Sequence, residues 1–548
     1  MQEITIVGGG IIGCSTAYFL TRHPSYSPDT HCITLLEASS TNSGGRTRDS
    51  IQDPAALADL TTASKQNPAH DGIAGGASGK AGGLLALWAF PQSIVPLSFR
   101  LHDELAREHG GDKRWGYRRC WASQVDCKAR LPPGLDVSAS AEPPPADGGQ
   151  AGASKGLHKD HKKATAALRK LGVPDELDWV DATESLGAYD NIGTPDNTAQ
   201  VHPELFTRSM AQLAEDAGVR IVTGARVTAV NRSPDESRVE SVTYEKDGQE
   251  TTHPTTHCVV AAGPWTRRLL PEIPVTASRA HSVVIKAPRP LSAQHSTGQS
   301  KRDARGEQVV EPEIYARPDG TAYACGPTDD VAPLPLTTAE VEVDEARCAD
   351  IVAQVGGISD ELGSDGEVLA RQACYLPQGG PYIGQVGSTK GLIVAAGHTC
   401  WGIQNAPGTG KLIEYFVMAM AFASMSSAKN DNILLPDFIE ERTRRSLKRM
   451  AKPNPPDPRR RRPSWSAAVR LQREMLAIMQ EKTGMDFWGI IRELWALEKL
   501  LVKTGAQAHE LQAIRVEVDE QRPSLSDKAY MEQREGIIYN TPQPPNPI

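Results

Sequence analysis

The sequence predicts an α/β protein whose chain opens with a βαβ unit, and three features near the N-terminus support this prediction. Residues 4–7 (ITIV) form an apolar run and are followed directly by residues 8–13 (GGGIIG), which contain the spacing Gly-x-Gly-x-x-Gly. A helix is then expected over residues 11–22, and a second strand over residues 31–36 ends in Glu37. Strand, glycines, helix, strand and acid in this order are typical of a Rossmann-like domain.

The residues of the first glycine turn have separate roles in such a unit. Gly8 permits the tight turn after the first strand, and Gly10 allows a pyrophosphate to approach the backbone closely. Gly13 allows the helix to pack against its strand, while the amides of Ile11 and Ile12 lie at the positive end of the helix dipole. These five residues are therefore predicted to bind the phosphates of a dinucleotide.

Glu37 and a second glycine-rich segment indicate which dinucleotide binds. A carboxylate at the tip of the second strand can accept hydrogen bonds from both ribose hydroxyls of an adenosine. Residues 76–86 (GASGKAGGLLA) form another loop of small residues and carry one cation. A compact NAD site needs only the first glycine turn, so the second loop favours a longer cofactor such as FAD. The residues of this loop predicted to bind the cofactor are Ser78, Gly79, Lys80, Gly82 and Gly83.

Further segments make the chain similar to a known family. They are residues 98–102 (SFRLH), 114–119 (RWGYRR), 200–206 (QVHPELF), 259–265 (VVAAGPW) and 391–402 (GLIVAAGHTCWG). From residue 1 to about residue 436 the chain resembles the D-amino-acid oxidase-like family of FAD-dependent oxidoreductases, which includes glycine oxidase and sarcosine oxidase, in its fungal-type form. The resemblance implies a Rossmann-like FAD-binding domain and a discontinuous substrate domain built on an antiparallel sheet.

The resemblance also implies cofactor contacts farther along the chain. It places against FAD the residues Val227, Ala262, Gly263, Gly397, His398, Gly402 and Ile403. In the family, the helix that corresponds to residues 404–420 points its N-terminus at the pyrimidine end of the flavin, where negative charge accumulates on reduction. A helix dipole stabilises such a charge by ~0.5–2 kcal/mol.

The reaction implied by the resemblance is oxidation of a C–N bond in an amine or amino acid. Hydride passes to flavin N5, an imine is released, and O2 reoxidises the flavin to give H2O2. Candidate catalytic residues are His398 on the flavin-side loop, Arg371, and His281, whose alternative is a hydrogen-bonded structural histidine. Tyr315 and Tyr323 flank a turn, and they either line the substrate cavity or pack in the core.

The position before Pro377 departs from the pattern of amino-acid-oxidising relatives. Those relatives often have an arginine there that clamps the substrate carboxylate, whereas this chain has Leu376. Either Arg279 or Arg371 replaces that arginine, or the substrate has no carboxylate at this place. Cys374 lies where sarcosine-oxidase-like relatives attach the flavin through sulfur, and the alternative is a buried core cysteine.

Two other functions stay open at this stage. The missing arginine and the C-terminal extension also suit a flavin-binding regulatory or trafficking protein with little turnover. An NAD-dependent dehydrogenase is disfavoured by the second glycine loop.

Composition narrows the class of protein further. With 548 residues the chain is too long for one domain, and its net charge of −8 gives no reason to expect nucleic acid or an anionic membrane as a partner. Nine cysteines without metal-ligand spacing predict reduced thiols and no metal site. No apolar stretch reaches ~18 residues, and no signal peptide precedes the first strand, so we expect a cytoplasmic protein. The basic run over residues 442–462 leaves nuclear import open.

The expected domain organisation is discontinuous. The FAD-binding domain is predicted from residues 1–100, 196–272 and 371–428, and the substrate domain from residues 101–195 and 273–370. Residues 440–548 are predicted to form a basic linker and a helical tail, which either binds a protein partner or packs as a hairpin on the core. Polar segments 41–73, 132–163 and 288–309 are predicted loops, and residues 218–221 and 225–230 a pair of strands.

Overall fold

The computed structural model describes residues 1–41, 46–47, 70–128, 177–180, 186–301 and 309–426. The chain divides into two compact units, Met1–Met420 and Ala421–Ile548, and of the second unit only residues 421–426 are described. The predicted tail over residues 440–548 and the predicted loop over residues 132–163 lie outside the described residues, as does most of segment 41–73.

The described secondary structure follows in chain order. The strands are β1 (Gln2–Val7), β2 (His31–Leu36), β3 (Arg46–Thr47), β4 (Leu84–Ala86), β5 (Arg118–Arg119), β6 (Trp121–Lys128), β7 (Leu186–Gly193), β8 (Thr198–Gln200), β9 (Arg220–Val222), β10 (Arg226–Arg232), β11 (Val239–Lys246), β12 (Gln249–Pro254), β13 (His257–Val260), β14 (Thr276–Lys286), β15 (Gln294–Lys301), β16 (Val309–Val310), β17 (Glu313–Ala316), β18 (Thr321–Cys325), β19 (Glu367–Gln378), β20 (Tyr382–Gln385) and β21 (Leu392–Ala396). The helices are α1 (Ile11–Thr21), α2 (Val95–His109), α3 (Gly111–Arg114), α4 (Pro203–Glu215), α5 (Thr266–Leu269), α6 (Glu345–Gly356) and α7 (Gly402–Ser426).

A largely parallel sheet, built from strands between residues 2 and 396, forms the first layer of the fold. Its strand order is β20-β21-β13-β1-β2-β9, and only the edge strand β20 runs antiparallel to its neighbour. All eleven residues of α1 are buried, because this helix lies between the sheet and α4. The chain moves from β1 to β2 on one side and β13 pairs on the other, so β1 is the point where the strand order reverses. Ligands bind at such switch points, beyond the carboxyl ends of the strands.

A mixed sheet forms the second layer. Its order is β3-β19-β14-β18-β17-β15-β6-β7, with β16 also pairing with β15, and neighbours are antiparallel except for β6 and β15. One face of this sheet packs against α6 through a core that includes Ile285, Ile314, Ala324, Ile351 and Val355. These observations confirm the predicted fold class, a Rossmann-like domain with a largely antiparallel sheet beside it.

Two predictions about strands are wrong, and the first concerns the expected pair near residues 218–221 and 225–230. The strands near residues 218–221 and 225–230 do not pair with each other, because β9 extends the parallel sheet beside β2 and β10 begins a separate meander with β11 and β12. Gly224 between them has a φ of +68°, which turns the chain from one sheet into the other.

Segment 288–309, predicted as a loop, contains strand β15. Its sequence, QHSTGQSK, has no apolar residue. The backbone nevertheless pairs with β6 on one side and β17 on the other, so the strand takes part in the sheet through main-chain hydrogen bonds. The amino-acid composition of the segment does not predict such a strand.

Within the described part of the chain, none of the helices has both the length and the apolar character required to span a membrane.

We expect deletion of residues 440–548 to leave a cooperatively folded protein. Both large sheets and their core clusters lie within Met1–Met420, so the shortened chain keeps every one of these contacts. The midpoint of thermal unfolding should change by no more than about 4 °C, the shift that about 1 kcal/mol causes in a large domain. Differential scanning calorimetry measures it. A chain ending before residue 402 is the control and should not fold, because it lacks the buried residues of α7; an aggregated 1–439 chain would contradict the prediction.

Candidate functional site

The turn between β1 and α1 depends on two residues without side chains. Gly8 has a φ of +113°, and a Cβ there would lie 2.5 Å from the Ala261 carbonyl oxygen. A Cβ on Gly13 would lie 2.0 Å from the Gly8 carbonyl oxygen, so only glycine allows α1 to approach β1 this closely. Gly10 caps the helix without a side-chain hydrogen bond, and Ser78 from the second glycine loop accepts a hydrogen bond from Ile11 N at 2.9 Å.

The Glu37 carboxylate is oriented by two backbone amides. Gly9 N donates to Oε2 at 2.7 Å and Ser39 N donates to Oε1 at 2.9 Å. Burial raises the pKa of Glu37, and these hydrogen bonds act in the opposite direction because they stabilise the charged form. Each carboxylate oxygen has a second lone pair, so the group can accept further hydrogen bonds from a ligand.

The second glycine loop is held by its own buried contacts. A short 3₁₀ turn spans Ala77–Gly79, and the buried Lys80 ammonium donates to the Gly75 carbonyl oxygen. Cβ atoms on Gly79 and Gly83 would lie 2.2 Å from Ala74 O and 2.0 Å from Val201 O, respectively. The glycines of this loop therefore permit close backbone approach, as the sequence predicts for such a loop.

The segment between β21 and α7 brings a histidine to the site. His398 Nε2 lies 3.0 Å from Thr409 Oγ1, and the Thr409 hydroxyl itself donates to Asn405 O at 2.9 Å. The single hydroxyl proton is used in that second bond, so His398 Nε2 is the donor to Thr409. Burial lowers the pKa of His398 to about 4, so the imidazole is neutral at pH 7.

One cavity of about 270 Å³ connects these elements. Of the residues predicted to bind the cofactor, those that line it are Gly8, Gly10, Ile11, Ile12, Glu37, Ser78, Val227, Ala262, Gly263, Gly397, His398, Gly402 and Ile403. Those that do not are Gly13, Gly79, Lys80, Gly82 and Gly83, which hold the turns in place instead.

Sequence reasoning missed one wall of the cavity. Residues Leu336–Thr338 close it, together with Trp265 and Arg268. Trp265 Nε1 and Arg268 Nη1 both donate to Pro335 O, at 2.7 Å and 3.0 Å, and Thr338 Oγ1 lies 2.6 Å from Ser39 Oγ. Segment 336–338 carries no glycine motif or apolar periodicity that would predict a place at the site. Trp265, at the end of the predicted 259–265 turn, was the one residue of this wall that the sequence indicated.

The cationic candidates for substrate binding are engaged in ion pairs. Arg371 Nε lies 3.3 Å from Glu345 Oε2, and the buried Arg279 pairs with Asp329 at 3.3 Å. His281 is 1% exposed and its Nε2 accepts a hydrogen bond from Asp344 N at 3.2 Å. None of these three residues lines the cavity, whereas Leu376 does.

Cys374 lies on β19 and is buried, beside rather than within the lining of the cavity. Burial raises the pKa of its thiol to about 11, and the nearby charge of Lys80 acts in the opposite direction. Such a thiol is protonated at pH 7, which disfavours nucleophilic attack on a flavin. Among the residues that the structure describes, no group of three or more His, Cys, Asp or Glu side chains could hold a metal ion.

FAD fits the donors of this site. The N-terminus of α1 and the glycine turn suit a pyrophosphate, the Glu37 carboxylate suits a ribose, and the cavity continues from there to Tyr375, Leu376 and Pro377 of the mixed sheet. Fold and site thus define a nucleotide-dependent α/β oxidoreductase.

Comparison with known proteins gives the family. The model of the family "DAO: FAD dependent oxidoreductase" matches residues 69–416. The chain belongs to this family of FAD-dependent oxidoreductases, and FAD is its cofactor.

Two fungal proteins are similar along most of the chain. "Putative oxidoreductase TDA3" of Saccharomyces cerevisiae is 31% identical over 511 residues, which cover 75% of this chain and 90% of that protein. "Putative oxidoreductase C1F5.03c" of Schizosaccharomyces pombe is 32% identical over 444 residues, which cover 77% of this chain and 96% of that protein.

Solved structures share the fold. The glycine oxidases of Bacillus cereus and Geobacillus kaustophilus each match with a TM-score of 0.50 and 17% identity, over 76% of this chain and 95% of theirs. At this identity the similarity shows a common fold.

We expect Glu37→Ala to weaken FAD binding by about 10- to 100-fold. Loss of a charge-assisted hydrogen bond to the ribose costs ~1.5–3 kcal/mol. Titration of apoprotein with FAD, followed by quenching of flavin fluorescence, gives the dissociation constant. Glu3→Ala, which removes a carboxylate near the other end of β1, is the control and should bind FAD as the unmodified protein does. Equal affinities for the two variants would contradict the role of Glu37.

Proposed function

We propose that this protein oxidises the C–N bond of an amine or amino acid and passes the electrons to O2. The observation that carries the proposal is the cavity in which residues of both glycine loops and of the 397–403 segment meet Tyr375, Leu376 and Pro377 from the mixed sheet. A cofactor bound along the loops would extend toward that sheet, where a small substrate can be enclosed.

The proposed reaction transfers two electrons and two protons from the amine to O2. The carbon next to nitrogen would lose a hydride and the nitrogen a proton, so that an imine forms, and bound FAD would supply the hydride acceptor at its N5. Water converts the imine to a carbonyl compound and a free amine or ammonia. O2 takes up the two electrons and two protons and is released as H2O2.

The chain contributes orientation and electrostatics in this proposal. Gly8, Gly10 and the first turn of α1 would bind the pyrophosphate, and Glu37 the ribose. The N-terminus of α7, at Gly402 and Ile403, would place partial positive charge beside the flavin and so favour its reduced, anionic form. A neutral His398 would bind the cofactor as a hydrogen-bonding group rather than as a charge.

Leu376 restricts the class of substrate that suits this cavity. It lines the cavity, while Arg279 and Arg371 are each held by a carboxylate. A substrate carboxylate buried beside Leu376 would lack a partner, and an unpaired buried charge costs several kcal/mol. We therefore propose a secondary or otherwise uncharged amine, or an amino acid whose carboxylate is held elsewhere.

The same observation supports a second candidate function. A flavoprotein that lacks the carboxylate clamp could act as a flavin-binding regulatory or trafficking protein with little turnover. A peroxide assay over a panel of primary, secondary and tertiary amines separates the two candidates, because only the oxidase produces H2O2 in proportion to added amine.

We expect glycine and D-alanine to reduce the flavin slowly or not at all, because neither carboxylate finds a bidentate partner at Leu376. Anaerobic stopped-flow spectroscopy of the flavin absorbance measures this rate. Leu376→Arg should speed the reaction with both amino acids, by about tenfold or more if the guanidinium forms a charge-assisted pair.

The control for this experiment is Leu336→Arg, which adds the same charge at another, exposed position of the cavity lining. Rapid reduction by glycine or D-alanine in the unmodified protein, retained in both Arg279→Ala and Arg371→Ala, would contradict the inference from Leu376.

A further inference from the structure

The mixed sheet presents two chemically different faces. Along β17 and β18, Ile314, Ala316, Ala322 and Ala324 belong to the core that packs against α6. Side chains alternate across a strand, so the residues between them point to the opposite face. The antiparallel register there places Glu313 opposite Cys325 and Tyr315 opposite Tyr323.

This polar face lies against the cofactor-binding loops. The Tyr315 ring covers Gly82 so closely that a Cβ on Gly82 would lie 2.7 Å from ring atoms. Arg317, which lies two residues after Tyr315 in the sequence, donates from Nη2 to Ala81 O at 3.0 Å. Ala81 lines the cofactor cavity, so the polar face is in direct contact with its border.

The negative charge of Glu313 also acts on a thiol in the 397–403 segment. Burial raises the pKa of the Cys400 thiol, and the negative charge of Glu313 adds to that rise. Cys400 lines the cavity between His398 and Gly402. By geometry, Glu313 lies one hydrogen bond away from Tyr315, whose ring contacts Gly82 of the 76–83 loop.

Only neutral groups hold the Glu313 carboxylate. The Tyr315 hydroxyl donates to Oε2, and the Cys325 thiol donates to the same oxygen at 3.8 Å. Burial and the charge of Glu313 raise the pKa of Tyr315 well above its ordinary value, so the phenol stays protonated as a donor. Glu313 itself is exposed, and no lysine, arginine or histidine of the described residues forms an ion pair with it.

A carboxylate that is held by neutral donors beside Tyr315, whose ring contacts the second glycine loop, attracts a positively charged ligand. The two neutral donors leave Oε1 and the outer lone pairs available, and an ammonium supplies N–H donors of matching charge. The apolar Leu376 in the cavity offers no such attraction for a carboxylate. Charge and position thus favour recognition of the substrate through nitrogen.

We propose that Glu313, oriented by Tyr315 and Cys325, anchors the protonated nitrogen of an otherwise uncharged amine, which makes alkylamines without a carboxylate the preferred substrate class. This proposal rests on the proposed amine oxidation. It assigns the recognition step to a carboxylate of the mixed sheet rather than to an arginine.

The test uses two probes with the same carbon chain and opposite charge, butylammonium and butyrate. Each is titrated into the FAD-loaded, full-length protein, and the difference spectrum of the flavin gives the dissociation constant. The unmodified protein should bind butylammonium at least about tenfold more tightly than butyrate. Glu313→Gln should weaken butylammonium binding by at least about tenfold and leave butyrate unchanged. Glu313→Lys should reverse the preference.

Glu367→Gln is the matched control, because it neutralises an exposed carboxylate on β19 of the same sheet. The proposal is overturned if the unmodified protein binds neither probe, if both Glu313 variants keep its affinity for butylammonium, or if Glu367→Gln causes the same loss. Binding needs no turnover, so butylammonium binding through Glu313 without any peroxide from amines would refute the oxidation and leave the anchor standing. Amine oxidation with an unaltered Michaelis constant in Glu313→Gln would refute the anchor alone.

Discussion

The close approach of α1 to the end of β1 controls the geometry of the whole site. It depends on the absence of a side chain at Gly13, where a Cβ would lie 2.0 Å from the Gly8 carbonyl oxygen. Because the helix starts so near the strand, its N-terminal amides face the cavity, where partial positive charge suits a phosphate. Gly9 N in the same turn also orients the Glu37 carboxylate, so one stretch of backbone positions both the helix amides and this carboxylate.

The rest of the cavity is assembled around that turn from distant parts of the chain. Ser78 bonds to the first amide of α1, Ala261 closes against Gly8, and Thr338 contacts Ser39. Each of these contacts joins residues far apart in sequence, so the site forms only when the sheet is complete. FAD binding should accordingly report on the integrity of the entire first unit.

The mixed sheet has a structural and a chemical face, and the alternation of its strands separates them. Ile314 and Ala324 bury apolar surface against α6, while Glu313, Tyr315 and Cys325 face the cofactor loops. Because successive side chains of a strand point to opposite faces of the sheet, one strand can stabilise the core and line a site at the same time. Arg279 and Arg371 form ion pairs with Asp329 and Glu345 and do not line the cavity, while Arg317, directly after β17 of the same sheet, donates to Ala81 O of the second glycine loop.

The sequence by itself determined the elements whose signals are local. The glycine turn, α1, β2 ending in Glu37, and the β21–α7 junction follow from glycine spacing and apolar runs, and Tyr315 and Tyr323 were expected on the strands where they lie. Tertiary structure alone decided that β9 joins β2, that the polar β15 lies inside a sheet, that Leu336–Thr338 closes the cavity, and that Arg371 pairs with Glu345. The reason is physical: turns and amphipathic periods are properties of neighbouring residues, whereas strand partners and ion pairs are chosen by backbone hydrogen bonds and charges that meet only when the chain is folded.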